Sequence, residues 1–450
     1  MSVNDETPNE LPQEPADPAA ETGAPNYSNA QNFLSHLQTG VDVRTGDFTC
    51  TMSLPALEAN NLQGPTVQLS LGFSSQLIDD VGYGEGWQLG GLTTLVEATG
   101  TVALSTGERF VAKDMMSEFT FKDRKLVTFH MRRDPTNLSE FWVTHKNGVV
   151  EKLSTFNHVS PVAVPVEIRS PDGRRVYLEY NQPAAPLLRA VRDEKHQLLS
   201  IEHKLGVVEV ILHPDRAKPV VFSLMQSNNL LAQLRLPPEL GNVGWRFGYK
   251  KIGNLNHITQ IDLPTGGVET VEYREPGHQC LQGAPSTHMP YASGHSRNPG
   301  YPQASLTTTY DFSPTNYMGY GSGLHWQKDE DNLYRLTALQ GQEYLYECTA
   351  TTEMLGDDEV VVTRTVKSVF NRLHLLVSEV TTQNKHVLEK NTRYHDDPTK
   401  LFELQEPYFQ LPHTATTVWK LLGDDVPPPR EEVVTTEYDD FGNLIRQVDE

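Results

Sequence analysis

The sequence predicts an all-β protein, and three features carry that prediction. From Gly40 onward, short extended runs follow one another at regular spacing: FTCTMSLP, TVQLSLGF, TTLVEA, FTFKD, LVTFHM, FWVTH, VVEKLS and RVYLEY. The separators have hairpin chemistry, because Gly reaches positive φ freely and Asn or Asp tolerates it at low cost. The composition is 37% hydrophobic, with Thr, Val, Tyr, Gly and Pro recurring throughout, as in sheets with many turns and much polar surface.

Each segment has its own reason. Residues 1–27 form an acidic, Pro-rich tail with six acids and no base over its first 26 residues. So apolar-poor a stretch cannot offset the entropy of ordering, and disorder is expected. Asn29 to Gln38 places Phe33, Leu34 and Leu37 on one side of two prospective helical turns, a short cap. In TVQLSLGF, Val67, Leu69, Leu71 and Phe73 alternate with polar neighbours, the period of a half-buried strand. The turns Lys146-Asn147-Gly148, Pro171-Asp172-Gly173, Pro264-Thr265-Gly266-Gly267 and Asp440-Phe441-Gly442-Asn443 punctuate the chain. After two of them a strand closes on Tyr, in RRVYLEY and VETVEY. This internal repetition is too degenerate for a strict period. Residues 275–304, rich in Gly and Pro and without apolar periodicity, predict a flexible loop. The β pattern resumes over 305–450, with a break at Leu422 to Arg430. The domains expected are therefore 1–27, 28–274, 275–304 and 305–450.

Charge and cysteine usage exclude whole classes of function. A net charge of −21 is the wrong sign for a nucleic-acid partner, which requires a Lys/Arg surplus. No run of ~18–20 apolar residues is present to span a bilayer, and the N-terminus has neither the basic start nor the apolar stretch of a secretory signal. The expectation is a soluble chain made in the cytoplasm and exported, if at all, without a classical signal peptide. Cys50, Cys280 and Cys348 are odd in number and widely spaced, which fits reduced thiols.

Each candidate site also has a structural explanation. Gly82, Gly84, Gly86, Gly90 and Gly91 resemble a nucleotide loop, but Trp87 and a strand-like continuation replace the helix such a loop needs, so a glycine-punctuated turn packed by Trp87 is expected. His278, Cys280, His288 and His295 share one segment without the close spacing of a zinc site, and no metal or other cofactor is assigned. The pairs Asp79/Asp80, Asp357/Asp358 and Asp424/Asp425 fit turns better than general acid and base roles. Trp142, Trp245, Trp326 and Trp419 fit sheet packing first and a glycan surface second. No nucleophile elbow occurs, and no enzymatic activity is predicted.

YDDFGNLIRQVDE at 438–450 resembles a YD repeat, the unit of RHS and teneurin proteins, through Tyr438, Asp439, Gly442, Asn443 and Leu444. The stretches NFLSHLQTGVDVRTGDFTCTMSLPAL, VGYGEGWQLGGL and ALSTGERF are similar to the N-terminal shell segment of RHS proteins and toxin-complex C components. NHITQIDLPTGGVETVEY, YDFSPTNYMGYGSG, VFNRLHLLVSEVTTQNKHVLEKNTRYH and PYFQLPHTATTVWKL continue the likeness, which covers roughly 29 to 450. The resemblance implies an antiparallel repeat sheet spiralling into part of a hollow shell, or cocoon, that holds a toxic polypeptide. It implies a polypeptide partner, either toxin cargo or a companion shell subunit. The family's self-cleaving DPxGxxG-like core and variable toxin are not in this sequence, since Asp134-Pro135 and Asp397-Pro398 lack the following glycines. The expectation is a truncated gene, a split component or a fragment. The alternatives are a cell-surface or carbohydrate-binding module and, less favoured, a glycosidase or lyase on a β scaffold.

Overall fold

The computed structural model describes residues 36–156, 161–181, 186–241, 243–328, 330–339, 341–355 and 361–450. The expected tail over 1–27 and residues 29–35 of the expected helix lie outside them. The regular elements described are 32 β-strands and three short 3-10 helices. All the ladders between named strands are antiparallel, so the all-β expectation holds. None of the described helices is long and apolar enough to cross a membrane.

Three parts follow one another. The first is a four-stranded sheet of order β1 (Leu37–Val41), β2 (Phe48–Ser53), β5 (Ser70–Phe73) and β6 (Trp87–Gly90), with β3 (Leu57–Glu58) and β4 (Thr66–Val67) paired beside it. The alternation read in TVQLSLGF is real: Val67, Leu69, Leu71 and Phe73 are all buried. The run is nevertheless divided between β4 and β5, where the Gln68 amide donates to the Leu54 and Leu69 carbonyls. Leu37 and Gln38 open strand β1, paired with Met52 and Thr51, and so are not helical as expected. Strand partners across β2 determine their conformation, overriding a weak local helix pattern.

The second part is a small closed ring. It runs through β7 (Thr94–Val96), β8 (Thr101–Ala103), β9 (Arg109–Asp114), β10 (Thr120–Lys122), β11 (Phe129–Arg133), β12 (Glu140–His145), β13 (Val150–Phe156) and β14 (Val162–Arg169). A bridge between Glu118 and Arg132 joins β10 to β11, and the ladder Val162–Val96, Ala163–Leu95 brings β14 back to β7. Leu95, Val102, Phe119, Phe129, Met131, Phe141, Val143 and Leu153 fill its interior. A ring has no open edge of its own, but the C-terminal half of β14 leaves it to pair with β15 (Arg175–Asn181).

From there each strand pairs with the next in sequence, through to β31 (Arg430–Tyr438) and β32 (Leu444–Asp449). The N-terminal sheet packs on this long sheet as one core that reaches from Leu37 to Ala292. Trp87 is fully buried there, 4.9 Å from Phe247 and 5.5 Å from Phe73 between ring centroids. Burying each such ring contributes about 1.5–3 kcal/mol. Toward the C-terminus the apolar cover thins: β28 (Leu376–Gln383), β30 (Pro412–Leu421) and β31 contain no fully buried residue. The sheet also curls back on the ring. Lys125 Nζ donates to the Glu403 and Gln405 carbonyls, and Lys146 Nζ to that of Phe441, at 2.8–3.1 Å.

Residues 275–304, expected as a flexible loop, are mostly a hairpin of β23 (Val268–Gln279) and β24 (His288–Asn298). Pro276, Gly277 and Pro290, among the residues that suggested a loop, sit at a bulge where the ladder jumps from Arg274–Tyr291 to His278–Met289, while Gly283 and Pro285 lie in the connection and Pro299, Gly300 and Pro302 beyond β24. Proline is accommodated at such a bulge because no ladder N–H is required of it. At Gly277 a Cβ would lie 2.0 Å from the Met289 carbonyl oxygen, so close an approach admits only glycine.

Candidate functional site

The sequence motif at 438–444 proves to be one of a set of identical turns. In each, residue i donates its N–H to the carbonyl of i+4, and i+3 donates back to the carbonyl of i. The starting residues are Leu104, His145, Ser170, Leu263, Asn371 and Asp439, with every one of these bonds between 2.8 and 3.0 Å. This is the three-residue hairpin loop, a turn closed by a left-handed residue. That residue is Gly107, Gly148, Gly173, Gly266 or Gly442 in five turns and His374, at φ +61°, in the sixth.

Asp439 adds a side-chain cap. Its Oδ1 accepts the N–H of Phe441 at 3.0 Å and of Asn443 at 2.8 Å, and its Oδ2 accepts the Asn443 amide at 2.8 Å. These bonds to the charged form, first among them the Asn443 side chain, hold the carboxyl below the usual range. Asn371 does the same for Leu373 and Leu375, at 2.9 and 3.1 Å. In both turns the flanking pair is aromatic to leucine, Tyr438 with Leu444 and Phe370 with Leu376, immediately after a bulge. VFNRLHLL is thus the same unit as EYDDFGNLI with different letters, which explains why letter matching finds only one clear copy.

A second repeated device was only half visible. Tyr180, Tyr249, Tyr273 and Tyr394 each follow a bulge in the ladder toward the next strand. Each hydroxyl donates to a carbonyl of the preceding strand: Pro165 at 2.9 Å, Leu231 at 2.7 Å, Ile258 at 2.8 Å and Leu376 at 2.8 Å. The bulge turns the ring inward, and the hydroxyl then bolts one strand to its neighbour. Burial pushes all four phenols above their ordinary value. RRVYLEY and VETVEY signalled Tyr180 and Tyr273 in the sequence. Tyr249 and Tyr394 lacked the preceding alternation, and only Tyr394 ends its strand.

The other candidates do not converge. At Gly84 an added Cβ would lie 2.7 Å from the Leu231 N, and at Gly91 2.1 Å from the Gln68 carbonyl oxygen, so the glycine cluster serves close packing around Trp87. Asp80 caps this turn by accepting the N–H groups of Gly82 and Gly84. Asp357 and Asp358 lie outside the described residues. His278 is buried among Tyr291, Phe312 and Tyr317, with Nε2 3.1 Å from the Thr45 carbonyl. Burial depresses its pKa to about 4. His295 instead meets Glu269 at 2.8 Å, and His288 meets its neighbour Thr287. Cys50 and Cys348 are buried free thiols, and burial raises both. Trp245 is buried, Trp326 lines an apolar cleft of about 470 Å³ with Cys280, Tyr317 and Met318, and Trp419 lines another of about 480 Å³. Among the described residues, the turns and tyrosines supply rigidity and repetition.

No protein-family model matches the sequence, and no curated protein matches it. Among solved structures, the crystal structure of TcdB2-TccC3 is similar with a TM-score of 0.32 at 8% identity, over 92% of this chain and 30% of that one. The structure of TcdB2-TccC3 without its hypervariable C-terminal region is similar with a TM-score of 0.31 at 8% identity, over 89% of this chain and 37% of that one. This chain therefore spans well under half the length of either.

Proposed function

We propose that this chain is a wall segment of an RHS or toxin-complex C type of shell, whose work is mechanical: to enclose or carry a toxic polypeptide. The observation that supports this most directly is the pairing of one turn geometry and one tyrosine bolt, repeated along a sheet in which each strand joins the next. Such a sheet lengthens by adding units, as a wall must, without requiring a new core for each. Its return onto the ring through Lys125 and Lys146 supports enclosure over an open platform. The YD resemblance at Tyr438, Asp439, Gly442, Asn443 and Leu444 points the same way. In this reading the partners are a polypeptide cargo or a companion shell subunit, no reaction is catalysed, and the chain is made in the cytoplasm.

The test is co-expression of the chain with the polypeptide encoded beside it, followed by size-exclusion chromatography and trypsin. Co-elution, with the cargo resistant until the shell is unfolded, is the expected result. Separate elution and unprotected digestion of that polypeptide would overturn the proposal.

A further inference from the structure

A cleft of about 610 Å³ opens where the edge of the N-terminal sheet meets the long sheet. Thr39 on β1, Glu269 on β23 and Arg297 on β24 line it, with Leu263, Val268 and Leu306 as its apolar side. β1 is the outer strand of its sheet, so its far edge has no ladder partner. Arg297 fills that place in part, its Nη2 donating to the Thr39 carbonyl at 2.8 Å. The β23–β24 ladder sets Glu269 opposite Arg297, and the two side chains meet with Nε 3.7 Å from Oε2.

The pair is fixed in place but not used up. Glu269 is only 7% exposed, and its Oε2 accepts the Thr39 hydroxyl at 2.7 Å and lies 2.8 Å from His295 Nε2. Burial raises its carboxyl, but the bonds from His295 and Thr39 outweigh burial and hold it below the ordinary range, so the group is charged at neutral pH. Its second oxygen, Oε1, has no partner among the described residues and is not sealed from solvent, unlike the unpartnered Oε2 of Glu151. Nη1 of the half-exposed Arg297 also lacks a described partner. Among the described lining residues no other side chain carries a charge. One free carboxylate oxygen and one free guanidinium edge therefore stand side by side against an apolar wall.

We infer that this cleft binds a free α-amino acid with an apolar side chain. Its ammonium donates to Glu269 Oε1, its carboxylate accepts from Arg297 Nη1, and its side chain lies on Leu263, Val268 and Leu306. An α-amino acid carries both charges on one carbon, which suits two protein charges that are themselves adjacent. A purely cationic or anionic molecule leaves one of the two edges unmatched, and a charged side chain would lose its water against the apolar wall. The volume lies within the usual range of small-molecule sites. The inference is independent of enclosure, since amino-acid binding and cargo protection are separate readouts.

The experiment is a ligand-detected NMR titration of the full chain with L-leucine, N-acetyl-L-leucine, L-leucinamide and L-lysine. L-leucine is expected to bind. The acetyl compound has lost the ammonium and the amide the carboxylate, so each should bind about tenfold more weakly, the size of one lost contact to a charged group. Glu269→Gln and Arg297→Gln should each weaken L-leucine binding by a similar factor. Arg297 is half exposed, so Arg297→Gln keeps the test valid if Glu269→Gln fails to fold. Absent L-leucine binding, equal binding of either capped compound or of L-lysine, or unaltered affinity in Arg297→Gln would each overturn the inference.

Discussion

Removing one hydroxyl, in Tyr249→Phe, tests whether the tyrosine bolts stabilise the sheet and whether position along it sets their worth. Tyr249 is the only one of the four bolts with a second described side-chain bond: its oxygen accepts the Trp87 indole N–H at 2.8 Å while donating to the Leu231 carbonyl at 2.7 Å. Trp87 is fully buried, so the lost hydroxyl leaves an indole donor with no water to turn to. A stranded buried group costs about 1–3 kcal/mol, and the carbonyl adds to it, for a total of about 2–4 kcal/mol. Tyr394→Phe removes one neutral bond at a half-buried site and should cost only about 0.5–1.5 kcal/mol. Urea unfolding read by circular dichroism measures both. The double variant Trp87→Phe with Tyr249→Phe removes donor and acceptor together, so the pair should couple by about 1–2 kcal/mol in a mutant cycle. An additive cycle, or a Tyr249→Phe no costlier than Tyr394→Phe, refutes the reasoning.

Two further outcomes are expected. His278 titrates near 4 when folded, because burial disfavours its charge, and near 6.5 when unfolded. The unfolded chain thus binds more protons between those values, so this contribution is complete above about pH 6.5 and is lost by about 3 kcal/mol as pH falls to about 4. Unfolding curves of wild type and His278→Phe should converge in that window, and parallel curves would exclude the assignment. Asp439→Ala should speed hydrogen exchange at the Phe441 and Asn443 amides, and Asn371→Ala at those of Leu373 and Leu375. Asp439→Asn should largely preserve protection, whereas unaltered exchange in both alanine variants would show the caps to be incidental.

Much of the strand pattern was legible because a period of two is a direct imprint of a sheet with one covered face. FTCTMSLP, FWVTH, VVEKLS and RVYLEY each became a strand, and the apolar set read in TVQLSLGF, Val67, Leu69, Leu71 and Phe73, is inward. Two elements escaped for physical reasons. The hairpin over 275–304 carries Pro276, Gly277 and Pro290 at a bulge, where a ladder tolerates them, and composition alone cannot distinguish a bulge from a loop. The closed ring depends on Ala163 meeting Leu95 and Arg132 meeting Glu118, contacts whose partners no local pattern announces. Of the site, the turn at Asp439 was readable from Gly442 and Asn443. Its counterpart at Asn371 was not, because His374 occupies the left-handed position that glycine usually marks.

The same physics explains why repetition fades in the letters while persisting in the geometry. The two capped units, at Asn371 and Asp439, share a ring after a bulge, an acceptor at the start of the turn and a residue that tolerates positive φ. Asp or Asn supplies the second and Gly or His the third, so substitution within each class leaves the hydrogen bonds intact. In the N-terminal half the covering sheet adds a shared core around Trp87, and unit identity there is further constrained by packing. Beyond β25 (Leu306–Phe312) the strands are held chiefly by their ladders, caps and bolts, with small clusters such as Tyr346–Phe370 at one end. A sheet built this way keeps its faces chemically free. Stability comes from bonds within the plane of the sheet, and the side chains on either face remain available for contact.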